Sequence, residues 1–159
     1  MTSEQTALVE GEALAHSDNT SFRTALDIGG HTMVADEPID VGGTNLGPSP
    51  YGLLSGALAT CTAMTLHAYA KMKTLPVTDI RVLVKHEKVH ETDCENCEKD
   101  DKAKIDCLQR TIWIEGELDA KARERMLQIA DRCPVKQTLQ RGIIVETVTL
   151  DAGERPSVG

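Results

Sequence analysis

The chain has 159 residues, 40% of them hydrophobic, which suits one domain with an ordinary core and directs the search to one site. Only 3% are aromatic, so the interior is aliphatic and lacks the stacking platform that single-stranded nucleic acid requires. The formal charge is −8, and the first 60 residues hold eight acids against the single base Arg23, a surface that repels nucleic acid and anionic membranes.

The longest apolar stretch, roughly Leu53 to Leu66, falls short of the about 20 residues that span a bilayer. The opening MTSEQTALVEGE has neither a basic nor a hydrophobic leader region, so a cytosolic, cytoplasmic protein is expected. Five cysteines, at 61, 94, 97, 107 and 133, are an odd number without framework spacing. In a reducing compartment this argues against a disulfide scaffold and for redox, catalytic or metal chemistry.

In chain order, residues 6–16 and 22–36 are short, partly alternating segments separated by HSDNTS and broken at Gly29-Gly30, the pattern of a β-meander. DEPIDVGGTNLGPSP is a loop by composition, and Ser49 as N-cap with Pro50 behind it opens a helix. Leu54, Ala57, Leu58, Cys61, Thr65 and Ala68 recur at three- and four-residue steps, which puts Cys61 on the buried stripe of a central helix ending near Lys73. A strand is predicted from Asp79 to His90, a charged loop over ETDCENCEKDDKAK, and a further strand over Thr111–Ile114. Asp119 caps a second helix with Ala122, Met126, Ile129 and Cys133 on one face; Pro134 interrupts it, a short turn VKQTL follows, and IIVETVTL reads as a closing strand. The order βββ-α-ββ-αα-β predicts an α+β fold in a single domain over residues 1–159, with the meander at about 6–36, the central helix at about 50–73 and the remaining strands and helix at about 79–150.

Two cysteines stand out. Cys61 lies about twelve positions into its helix, beyond the reach of the N-terminal dipole, so a thiolate there needs a cation or donors from elsewhere. On position alone, a small buried core residue is the favoured reading. Cys133 ends one helix and starts the next, which aims its sulfur at free N–H groups, with Arg132 and Lys136 nearby. It is therefore expected to be the more acidic of the two, with a helix-terminal core residue as an equal alternative. His86, His90, Cys94 and Cys97 form H-x3-H-x3-C-x2-C, enough nitrogen and sulfur ligands for tetrahedral zinc. A solvated loop with an incidental CxxC is favoured over a metal, and the CxxC lacks the strand-to-helix setting of a thioredoxin-like site.

Taken together, DEP-x3-GG-x3-GPSPY-GLL-x2-AL-x-TCTAMTL-x-AYA, HEKVHETDCENCE and ADRCPVKQTL resemble the OsmC/Ohr family, and more closely its YhfA-like branch of redox proteins, over roughly residues 30 to 148. The resemblance implies an OsmC-like fold with antiparallel sheets around two long central helices, assembled as an intertwined homodimer. It implies thiol-dependent reduction of organic, alkyl or lipid hydroperoxides in oxidative-stress defence. Cys61 would attack the peroxide and Cys133 would resolve the sulfenic acid as a disulfide. An external dithiol of lipoyl type, free or on a lipoyl protein, would restore the pair, with no bound cofactor and no metal. A guanidinium from the N-terminal strands would hold the Cys61 thiolate, and Arg23 is the only arginine before residue 81. An exposed strand-edge arginine is the equal alternative. The family's glutamate at the start of the central helix is replaced here by Gly52, with Asp36 or Glu37 as conceivable substitutes from the preceding loop. That departure keeps a second function open, a redox-sensing or hydrophobic-ligand-binding dimer without catalysis, and the His/Cys loop a third, a zinc-stabilised structural protein.

Overall fold

The computed structural model describes residues 8–90 and 104–150; the CxxC loop with Cys94 and Cys97 lies outside the described residues. The described chain forms two compact units, one running to Leu53 and resuming at Ile144, the other Leu54–Ile143. The α+β class with antiparallel sheets holds.

In the first unit β1 (Ala13–His16), β2 (Thr24–Ile28) and β3 (His31–Ala35) make the expected antiparallel meander in the order β1-β2-β3. Ile28 pairs with His31 across Gly29 and Gly30, whose φ values of 55° and 87° make a two-residue hairpin turn that glycine adopts without strain. Asp27 Oδ1 accepts the Gly30 N–H at 2.8 Å and fixes the turn.

The loop after β3 is organised by one carboxylate. Asp36 is buried at 2% exposure, and its Oδ1 accepts the Glu37 N–H at 2.8 Å. Its Oδ2 accepts the Thr44 hydroxyl at 2.5 Å, the Thr44 N–H at 3.1 Å and the Leu46 N–H at 3.2 Å. The Thr44 hydroxyl above all, followed by the backbone donors, outweighs burial and holds the Asp36 carboxyl down at about 2. Just beyond, a Cβ on Gly47 would come within 1.9 Å of the Val34 carbonyl oxygen, so only glycine lets the loop return to β3. Asp36 is thus committed to the loop, which removes it as a stand-in for the carboxylate absent at Gly52.

Helix α1 (Pro50–Met72) starts as the sequence indicates, with Ser49 Oγ accepting the Gly52 N–H at 3.1 Å. It stops where Thr74 turns left-handed, at φ 49°, and the Leu75 N–H returns to the Ala70 carbonyl at 2.9 Å. Its buried row is Leu58, Thr62, Leu66 and Ala70, which shares only Leu58 with the stripe expected. Ala57 and Ala68 are exposed and Cys61 is half-buried on the flank. Small and apolar residues surround this helix on nearly every side, so periodicity alone cannot select one face, and tertiary packing decides.

In the second unit α1 leads into β4 (Val77–His90) and β5 (Lys104–Gly116), a long antiparallel hairpin well beyond the predicted Thr111–Ile114. Ile80, Val82 and Val84 lie opposite Ile114, Ile112 and Arg110. These positions are buried or half-buried, whereas Arg81, Leu83, Trp113 and Glu115 alternate outward. Helix α2 (Ala120–Ala130) begins at Asp119, whose side chain accepts the Ala122 N–H at 2.6 Å. Leu66, Ala70, Ile114, Met126, Ile129 and Ala130 close the core, and full burial of a side chain such as Leu66 or Met126 stabilises by about 1.5–3 kcal/mol. Helix α3 (Pro134–Arg141) follows.

The predicted closing strand is absent in the single chain: residues 143–150 enter no ladder, and Ile144, Val145 and Val148 are 88%, 84% and 85% exposed. An alternating apolar segment becomes a strand only where an edge supplies its hydrogen bonds, and among the described residues none does so.

Because the Asp36 pKa is depressed, its stabilisation is fully present above the ordinary value of 3.8 and is lost as pH falls toward about 2. Acid unfolding followed by circular dichroism should show that loss, and Asp36→Asn should both weaken the protein near neutrality and flatten the acid limb. An acid limb identical in the two proteins would contradict this role.

Candidate active site

The second unit brings Cys61 and Cys133 together from opposite sides of the chain. Cys61 comes from the flank of α1. Cys133 is fully buried and occupies the N-cap of α3, with Pro134 at the first helical position and the Gln137 N–H on its carbonyl at 3.1 Å. The two thiols are free and near enough for each to shift the other's acidity.

Their surroundings are unequal. Burial pushes the Cys61 thiol up, and the adjacent Cys133 sulfur adds to this, while the Val135 N–H opposes it only in part. At Cys133, burial also pushes upward but is outweighed. The Lys136 N–H, the Cys61 thiol, the Thr62 hydroxyl and the Val135 N–H together pull the Cys133 thiol below its ordinary value. No N–H of α3 closes a capping hydrogen bond of ordinary geometry to the sulfur, so these amides act as partial positive charges at the helix start. The opposite directions make Cys133 the thiol of the pair that ionises first.

Three charged groups border the pair. Arg110 on β5 is half-buried, its side chain 12% exposed. Its Nη1 donates to Thr62 Oγ1 at 3.0 Å and to the Ala130 carbonyl at 2.9 Å, and its Nη2 donates to Asp131 Oδ1 at 2.9 Å. Lys136 Nζ donates to the same Asp131 oxygen at 2.6 Å. Lys136 first, then Arg110, keeps the Asp131 carboxyl below the usual range. Arg110 and Lys136 thus converge on one carboxylate two residues before Cys133.

Sequence reasoning passed over Arg110. Its signal was its phase: with Leu108, Ile112 and Ile114 it occupies the inward side of an alternating strand, where a lone guanidinium is costly unless it is fully bonded. Of the other expected site residues, Arg23 is exposed just before β2, its N–H on Ser21 Oγ at 3.2 Å, and belongs to the first unit rather than to the cysteines' unit. Gly52 is exposed in the first turn of α1, where an added Cβ would meet the Ser49 hydroxyl at 3.3 Å, a neighbour able to shift. His86 Nε2 meets Asp106 Oδ1 at 2.8 Å, and among the described residues no group of His, Cys, Asp or Glu could hold a metal. Nor, among them, is any helix long and apolar enough to cross a membrane.

No curated protein matches the chain. Solved structures do match in fold. An OsmC-like protein from Mycoplasma pneumoniae is 16% identical with a TM-score of 0.63, over 81% of this chain and 86% of that one. An organic hydroperoxide resistance protein from Elizabethkingia anophelis is 15% identical with a TM-score of 0.58, over 89% and 92%. Another, from Legionella pneumophila, is 16% identical with a TM-score of 0.57, over 79% and 85%. The family profile of OsmC-like proteins matches residues 43–148, a span that holds both cysteines, Arg110, Asp131 and Lys136. With more than half of its length matched, the chain belongs to the OsmC-like protein family.

Proposed function

We propose that the protein reduces organic hydroperoxides by thiol chemistry, with Cys61 and Cys133 as its redox pair. The observation that carries this reading is the nearness of two free thiols with opposite displacements of their acidity. Relatives of the same fold named as organic hydroperoxide resistance proteins support it.

The pair starts with a proton on Cys61 and a charge on Cys133. Passing that proton between the sulfurs makes the Cys61 thiolate without water, and this thiolate attacks the outer peroxide oxygen. The O–O bond breaks, Cys61 becomes a sulfenic acid, and the departing alkoxide takes the proton from Cys133 to leave as alcohol. The Cys133 thiolate then attacks the Cys61 sulfur, a disulfide forms, and hydroxide leaves as water with a proton from solvent. An external dithiol of lipoyl type, free or on a lipoyl protein, restores both thiols and is itself oxidised. Here Cys61 attacks although Cys133 is the more acidic, because a less acidic thiol makes the stronger nucleophile once ionised. Arg23 is retained as the guanidinium that the family resemblance assigns to the Cys61 thiolate.

Gly52 and the committed Asp36 favour a second reading, a redox-sensing or ligand-binding protein that forms the disulfide once and does not turn over. An open groove of about 390 Å³, lined by Ala63, Met64, Val77 and Ile80 together with the polar His67, Thr78 and Asp79, offers such a ligand a mixed surface. We further propose a homodimer, supported by the exposed apolar residues of the segment 143–150.

Reduced protein should consume tert-butyl hydroperoxide continuously with dihydrolipoamide, Cys61→Ser should abolish turnover, and Gly52→Glu should raise it. One equivalent consumed without turnover, whatever the dithiol, would favour the sensing reading instead. Light scattering of the eluting protein should report twice the 17.3 kDa chain mass, and Val145→Lys should shift it to monomer; a monomeric wild type would contradict the dimer.

A further inference from the structure

A hydroxyl has one hydrogen and two lone pairs, and the surroundings of Thr62 use them in a way that involves both Arg110 and Cys133. Thr62 is fully buried. Its Oγ1 accepts from Arg110 Nη1 at 3.0 Å and donates to the Leu58 carbonyl at 2.8 Å. One lone pair remains, and the Cys133 sulfur is its neighbour. When Cys133 is a thiol, its S–H can donate to that lone pair. When it is a thiolate, the hydroxyl hydrogen can turn from Leu58 to the sulfur, leaving the α1 backbone unbroken.

We propose that Arg110 is a positioning residue for the cysteine pair: anchored on the Ala130 carbonyl and Asp131, its guanidinium fixes the Thr62 hydroxyl against the Cys133 sulfur. The proposal deepens the peroxide-reduction reading and rests on the same pair. The guanidinium bridges the segment carrying Cys61 and the turn carrying Cys133, since Thr62 follows Cys61 and Ala130 and Asp131 precede Cys133. A lysine carries the same charge but not the planar fork that reaches three acceptors at once. Of the titratable groups, Cys61 from α1 acts on Cys133 directly, while Arg110 from β5 and Lys136 from α3 are both paired with Asp131 of the turn that precedes it.

The test is iodoacetamide alkylation of the reduced full chain across pH, with each cysteine followed by peptide mass spectrometry. Below the wild-type midpoint, Cys133 should react about tenfold more slowly in Thr62→Val and in Arg110→Met, its profile moving to higher pH, for each pKa unit gained. Arg110→Lys should recover part of the rate. The double variant should be no slower than Thr62→Val alone, because Arg110 acts through the hydroxyl. Cys107 serves as the internal check that the fold persists, and if Arg110→Met does not fold, Thr62→Val and Arg110→Lys decide. A Cys133 profile unchanged in Thr62→Val, or a double variant slowed by the product of the single effects, would overturn the proposal. Alkylation needs no peroxide, so shifted profiles in a protein without peroxide turnover would refute the functional reading and support Arg110. Turnover with unshifted profiles would do the reverse.

Discussion

A guanidinium placed inside a protein must find acceptors for its donors, and Arg110 finds three of them on two segments that are distant in sequence. Thr62 lies on α1, Ala130 ends α2, and Asp131 begins the turn to α3. Each acceptor sits within three residues of a reactive thiol, so the bonds that satisfy the half-buried charge also fix the segments that carry the sulfurs. The geometry of the cysteine pair is therefore inherited from the need to compensate one cation on the inward side of β5.

Within that frame the thiols differ by environment and not by residue type. Cys61 is desolvated on the side of a long helix, far from its dipole, and keeps its proton. Cys133 is buried more deeply yet ionises more readily, because helix-start amides and a hydroxyl replace the water it loses. A pair with one proton between two sulfurs can place its charge on whichever sulfur the next bond requires. This reconciles the greater acidity of Cys133 with Cys61 as the attacking atom in the proposed cycle.

Local signals in the sequence marked the positions whose physics is local: Gly29-Gly30 at the hairpin, Ser49-Pro50 and Asp119 at helix starts, and Cys133-Pro134 at the junction of α2 and α3. The greater acidity of Cys133 followed from the same local reasoning. What depended on tertiary partners was hidden. The buried row of α1 could not be chosen among small residues on all sides, and the first half of β5 is too polar to read as a strand. The role of Arg110 depends on acceptors 20 and more residues away. Residues 143–150 alternate like a strand but pair with no edge among the described residues. Asp36, conceivable as a catalytic substitute, proved to be the hub of its own loop.

The account stands on Cys61 and Cys133 being one redox centre. The most direct measurement is disulfide mapping by mass spectrometry after reduced protein meets one equivalent of organic hydroperoxide. The account predicts a single Cys61–Cys133 bond formed as one alcohol is released. A Cys94–Cys97 bond formed in its place, with Cys61 and Cys133 still reduced, would contradict it.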